Sequence, residues 1–237
     1  MTSERFSGVG SRRPMPQPVE KTFRFGRTAF LGLVGLSAGA LFLGKKAGSV
    51  GSALNFVPGP GSINGFTIYT IVDGYPAFHA SSYRLRIDGM VHKPLTMTID
   101  DILRHPSVTE TRFYQCVTGW TVPNATWTGI RLSSLLDAVQ PHAGAHALKF
   151  YSFDGAYTES LTMAQARQPD VLLAYKLGGQ PLSRAQGAPL RLVVPGMYGY
   201  KFIKWLDRVE LVSQPIDGYW EQNGYDRDAY IGHSNGA

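Results

Sequence analysis

A chain of 237 residues with a formal net charge of +6 and one cysteine has length for one large or two small domains and ample apolar material for a core. Its charge is concentrated: residues 1–50 hold eight Lys/Arg against Glu4 and Glu20 while the remainder balances, which excludes the basic folded face of a nucleic-acid-binding protein. The lone thiol excludes an internal disulfide, a cysteine-built iron–sulfur cluster and a zinc site of cysteines, and no C-x-x-C-H is present to attach haem.

Residues 1–27 are polar, basic and proline-containing, the composition of a disordered arm. Residues 28–44 then run without a charge and are flanked by basic residues. This length falls between a signal-peptide core and a spanning helix, and the flanking charge puts the N-terminus on the cytoplasmic side. Export or anchoring is therefore expected, with an extracytoplasmic domain, periplasmic or on the outer membrane face. Gly26-Arg27-Thr28-Ala29-Phe30-Leu31 resembles a twin-arginine export motif with Thr28 in place of the second arginine. Residues 45–62 read as a Gly/Ser/Pro linker, and a single domain is expected over 63–237.

Within that domain strand patterns dominate. Phe66 and Ile68 alternate, as do Tyr83, Leu85 and Ile87 before the Asp88-Gly89 turn, and Leu95, Met97 and Ile99 follow. A short helix fits 100–104, stopped by Pro106, and 111–115 is extended, delivering Cys116 to a loop containing Pro123 and Asn124. Ser133 is the expected N-cap of a helix reaching Val139. Leu148, Phe150 and Ser152 lead into Asp154-Gly155 and a returning strand over 157–161. Thr162 caps a short helix to Gln168, and further strands cover 171–177, 189–194 and 205–212. The pattern predicts an α+β domain, mixed but mostly β, with short helices and no alternating βαβ series.

Two stretches carry the chemistry. Cys116, between aromatic residues, is open to three readings: an inert buried thiol, a nucleophile, or the one protein ligand of a metal whose other ligands are not side chains. Downstream, Arg191 lies inside a buried-type strand and must have its guanidinium satisfied. That strand opens into a Gly/Pro/Tyr loop bearing Lys201 and Lys204, a setting for an anion such as phosphate or for ordinary salt bridges. The six histidines show no H-E-x-x-H spacing, and Pro141 and Gly144 place His142 and His146 in a loop.

Taken together, Gln115-Cys-Val-Thr-Gly-Trp120, Trp127-Thr-Gly-Ile-Arg-Leu-Ser-Ser-Leu-Leu-Asp-Ala, Gly187-Ala-Pro-Leu-Arg191 and Tyr198-Gly-Tyr-Lys201 resemble the molybdopterin-binding domain of the sulfite oxidase superfamily. The likeness is strongest to its bacterial single-domain members, including catalytic subunits of periplasmic methionine-sulfoxide reductase. The resemblance implies a sulfite-oxidase-type fold, a Mo-molybdopterin cofactor and Cys116 as the thiolate on molybdenum, the pterin supplying the other sulfurs. It also implies cofactor contacts from Tyr69 and Thr70, from Ser152, from Gln186 where the family has Asn, and from Arg191, Phe202, Ile203 and Lys204. Thr118 stands where the methionine-sulfoxide reductases have Glu, and with Trp120 and Tyr198 it is a substrate-pocket candidate. The implied activity is two-electron oxygen-atom transfer on a small, sulfur-containing substrate. Electrons would pass to or from a separate carrier, a membrane haem subunit being the natural candidate. The alternatives from the residues alone are a thiol enzyme using Cys116 as nucleophile and a non-catalytic binding domain of the same fold. The aromatic, polar run 218–230 reads equally as a cover for the pocket or as a packed tail.

Overall fold

The structure is a computed structural model that describes residues 57–63 and 65–233. The basic arm, the apolar run 28–44 and the linker up to residue 56 lie outside the described residues. Paired backbone begins earlier than expected, at β1 (Val57–Ile63), which runs antiparallel to β2 (Phe66–Thr70) with an irregularity between Pro58 and Ser62. Prolines, which lack a donor, are tolerated in such an edge ribbon.

The remaining strands are β3 (Leu85–Gly89), β4 (Leu95–Met97), β5 (Val108–Gln115), β6 (Thr121–Arg131), β7 (Ala147–Ser152), β8 (Thr158–Thr162), β9 (Leu172–Leu177), β10 (Gln180–Pro181), β11 (Arg191–Val193) and β12 (Leu206–Val212). One sheet has the order β10-β9-β6-β5, with β11 also paired to β9. The other has the order β4-β3-β12-β7-β8, in which β12 runs parallel to β3 and the other pairs are antiparallel. Among the described residues three short helices intervene: α1 (Ile99–Arg104), α2 (Leu132–Val139) and α3 (Met163–Ala166). This is the mostly β, short-helix architecture expected. The sheets and α2 share one core, to which Leu85, Ile87, Trp127, Ile130, Leu135, Phe150 and Val209 contribute fully buried side chains.

Local chemistry accounts for most boundaries. Thr98 caps α1 in a reciprocal box with Asp101, and Thr162 does the same for α3 with Gln165. Gly89 takes a positive φ of 84°, and a Cβ there would lie 2.4 Å from the Leu211 carbonyl oxygen, so the Asp88-Gly89 turn fixes the approach of β3 to β12.

Three expectations are corrected. Pro123 and Asn124 are not in a loop but inside β6, where Arg112 faces Ala125 and Tyr114 faces Val122. The two residues bulge opposite Phe113, where a proline forfeits no ladder bond. Ser133 lies within α2 rather than capping it; the helix starts at Leu132, whose N–H bonds the Val171 carbonyl, and Arg131 holds the cap position without a side-chain cap. The helix after Thr162 ends at Ala166, short of Gln168, with Arg167 at the C-cap.

Candidate functional site

β5 ends by burying Tyr114 and then turns at Cys116, which is 8% exposed. The turn is closed by the Gly119 N–H on the Cys116 carbonyl (2.9 Å) and the Cys116 N–H on the Trp120 carbonyl (2.9 Å), with Gly119 at φ 101°. The Thr118 hydroxyl donates to the Cys116 sulfur at 3.2 Å. Burial pushes the Cys116 thiol up, opposed by the Thr118 hydroxyl, the Thr118 and Val117 amides and the nearby Trp120 indole. The indole N–H is buried without an aligned acceptor, so its influence on the sulfur is electrostatic rather than a formed hydrogen bond.

The second half of the site is built by the chain from Ser183 to Trp205. A turn of 3₁₀ helix at Arg184–Gln186 is capped by Ser183, and Gln186 returns its side-chain oxygen to the Ser183 N–H at 2.9 Å. This spends half the Gln186 amide on the turn and leaves its buried Nε2 without a partner. Arg191, 6% exposed on β11, donates to the carbonyls of Gln186 and Phe202 at 2.9 Å each and stacks 5.1 Å from the Trp127 ring. Its Nε is buried and unpartnered, and burial brings the guanidinium down to about 10, with Tyr114 and Tyr157 acting to raise it. Lys204 reaches the Tyr69 carbonyl at 2.6 Å; burial and then Arg191 bring its ammonium down to about 7, against a raising effect of Asp154.

Between these halves lies a cavity of about 140 Å³. Of the residues singled out in the sequence, Tyr69, Thr70, Cys116, Thr118, Arg191, Phe202, Ile203 and Lys204 line it. Ser152, Gln186, Trp120 and Tyr198 do not. Ser152 is buried and its hydroxyl accepts from the Asp154 N–H at 3.3 Å; it is Asp154 that reaches the cavity. Trp120 packs behind the wall on Phe66, Tyr69 and Tyr114. Tyr198 engages the C-terminal segment instead: its amide donates to the Ala229 carbonyl (2.8 Å) and its hydroxyl accepts from Gly232 N–H (3.4 Å).

Lys201 departs from the anion-binding role open to it in the sequence. It is 1% exposed, with its amine 2.5 Å from Glu159 and 2.6 Å from Glu221. The sequence reading also passed over Tyr114, Asp154, Tyr157, Tyr200, Trp220 and Tyr225, all of which line the cavity. Only the Asp154-Gly155 turn and the aromatic run 218–230 gave any signal. Trp220 and Tyr225 of that run line the cavity, while Ala229 packs into the core, so the run combines features of both readings.

The arrangement fits an anionic cofactor that brings its own metal ligands. The Cys116 thiol faces a cavity shared with the buried Arg191 and the half-buried Lys204, neither of which meets a carboxylate at ion-pair distance among the described residues. On this cavity the buried Nε of Arg191 remains unpartnered, and leaving such a group so costs about 1–3 kcal/mol. Among the described residues no three His, Cys, Asp or Glu side chains converge.

Comparison with known proteins agrees. Residues 73–220 match the oxidoreductase molybdopterin binding domain family. The chain is 33% identical to sulfite oxidase of Arabidopsis thaliana over 62% of its own length and 46% of that protein. It is 30% identical to the protein-methionine-sulfoxide reductase catalytic subunit MsrP of Gluconobacter oxydans over 94% of its own length and 82% of that protein. The chain thus spans about half of the plant relative and most of the bacterial one. The crystal structure of sulfane dehydrogenase SoxCD from Paracoccus pantotrophus superposes with a TM-score of 0.56 at 21% identity, covering 86% of this chain and 61% of that one, and shares the fold. With a buried thiol, Arg191 and Lys204 on one cavity, and a family match across most of the folded part, the chain belongs to the molybdopterin-binding oxidoreductase family.

Proposed function

We propose that this protein is a molybdenum-dependent oxidoreductase that transfers an oxygen atom to or from a small, sulfur-containing substrate. The observation that carries the reading is the convergence of Cys116, Arg191 and Lys204 on one cavity. When bound, Mo-molybdopterin supplies a two-electron Mo(VI)/Mo(IV) centre suited to oxygen-atom exchange. The chain's own residues bind and orient it. Cys116 gives the thiolate ligand, a soft donor suited to this metal. Arg191 and Lys204 offer charge-assisted donors to the phosphate end, and the main chain of Phe202 and Ile203 fixes Arg191 and β11: the Phe202 carbonyl accepts from Arg191, and the Ile203 carbonyl accepts from the Leu192 N–H at 3.0 Å. Tyr69 and Thr70 form the facing wall, while Ser152 and Gln186 act from behind it, Ser152 by placing Asp154 and Gln186 by offering its carbonyl to Arg191. Trp220 and Tyr225 cover the cavity and exclude water.

A thiol nucleophile would need a base; among the described residues no histidine lines the cavity, so that alternative would have to rest on Lys204 or Asp154. The apolar run 28–44 supports an exported or membrane-anchored, extracytoplasmic enzyme, and the lack of any haem or cluster motif supports a separate electron carrier, with a membrane haem subunit as the candidate.

Molybdenum and pterin content of protein purified from a cofactor-competent host is the direct test: stoichiometric metal is expected, and its absence would sink the reading. Cys116→Ser should lose all molybdenum-dependent turnover while keeping the wild-type circular dichroism spectrum. Following metal reduction or reoxidation while sulfite, thioethers and sulfoxides are offered in turn identifies the substrate and the direction of transfer.

A further inference from the structure

Thr118 sits two residues beyond the cysteine, inside the turn that presents it, and its side chain is shared between the cavity and the sulfur. Its hydroxyl donates to the Cys116 Sγ at 3.2 Å, within the ordinary range for a donor to sulfur. The geometry is imposed by the backbone. The 2.9 Å bonds from Gly119 N–H to the Cys116 carbonyl and from Cys116 N–H to the Trp120 carbonyl close the turn, and Gly119 at φ 101° provides the left-handed step that closure requires. A β-branched residue also has few χ1 choices, so the hydroxyl is held in place at low entropic cost.

We propose that Thr118 is a positioning residue for the metal ligand: its hydroxyl fixes the direction of the Cys116 sulfur and draws charge from it, thereby setting how strongly that sulfur donates to a bound metal. The inference rests on the reading of Cys116 as the ligand. A hydrogen bond to a ligating thiolate withdraws electron density and stabilises the more electron-rich, reduced metal, raising the reduction potential. The direction is therefore defined: loss of the donor leaves a more strongly donating sulfur and a metal that is harder to reduce. A neutral donor also does this without adding a charge to the cavity wall, so tuning of the ligand and substrate admission meet at one side chain.

The test compares the wild-type holoenzyme with Thr118→Val, which keeps the shape and removes the donor, and Thr118→Ser, which keeps the donor and removes the methyl. The readouts are molybdenum content, the midpoint potential from a redox titration, and the paramagnetic resonance signal of the metal. The expected result is a more negative midpoint potential and an altered signal in Thr118→Val, with Thr118→Ser close to wild type. Loss of molybdenum in Thr118→Val but not in Thr118→Ser also supports the proposal, since the hydroxyl then retains the ligand geometry. A Thr118→Val enzyme with wild-type potential and signal overturns it. So does a Thr118→Ser enzyme that changes as much as Thr118→Val, whether in potential or in metal content, because shape rather than the donor is then responsible. Wild-type protein without molybdenum instead overturns the ligand reading of Cys116 on which the inference stands.

Discussion

Gly199 shows how narrowly single residues define this cavity. A Cβ built there would lie 1.9 Å from the Tyr114 hydroxyl, so the 3₁₀ turn at Gly199–Lys201 approaches β5 only because position 199 has no side chain. Gly199→Ala is expected to cost roughly 1–3 kcal/mol through forced displacement of packed atoms, measurable as a lower urea midpoint at unchanged m-value. Lys204 lends itself to a binding test. Charged hydrogen bonds contribute about 1.5–3 kcal/mol, so Lys204→Met should lower cofactor retention by about tenfold or more, read as molybdenum per protein after dialysis, with little change in melting temperature. At this scale the sequence was informative where a residue's type conflicted with its surroundings. Arg191 in an apolar strand had to be satisfied, and Cys116 had no cysteine partner. Lys201 gave no such warning: its partners lie 42 and 20 residues away and meet it only after folding.

The Lys201 cluster belongs to the scale of elements. Glu159 stands on β8, Lys201 in the turn before β12, and Glu221 in a 3₁₀ turn at Glu221–Asn223, so three separate segments are tied at one buried point. Tyr200 and Trp220, the sequence neighbours of Lys201 and Glu221, line the cavity, and the tie therefore holds the C-terminal segment against it. Gly218 supports this packing, because a Cβ there would lie 2.7 Å from both Glu221 Oε2 and the Thr158 carbonyl. Lys201→Met would leave the buried acid pair Glu159 and Glu221 without its cation and should destabilise by about 3–5 kcal/mol, seen in urea denaturation. Replacing all three residues by apolar ones of similar volume should recover much of that loss. Helix and hairpin signals were largely readable in the chain because capping boxes and turn residues act within a few positions. The strand through Pro123 was not readable, since a proline interrupts a ladder unless the partner strand allows a bulge, and that is decided by the partner.

For the whole molecule the same cluster sets a pH dependence. Burial pushes the Glu159 carboxyl up to about 8, with Glu221 adding to the rise and Lys201 opposing it. A carboxyl that holds its proton more tightly when folded than when unfolded, where it titrates near 4.3, stabilises the fold fully below that lower value. Its contribution is lost as pH rises through about 8. Melting temperature should therefore fall between about pH 4.3 and pH 8 and level off above it, and Glu159→Gln should flatten that decline; an unchanged slope in the variant would place the titrating group elsewhere. The sequence by itself determined the strand-rich character, the Thr162 cap and the family, because periodicity, capping and motif spacing are properties of neighbouring residues. Only the tertiary structure decided that Lys201 is locked in an ion cluster, that Tyr198 serves the C-terminal segment, and that Asp154, Tyr157, Trp220 and Tyr225 complete the cavity. Those outcomes depend on which distant segments share a buried volume, and desolvation and close packing act only once that volume has formed.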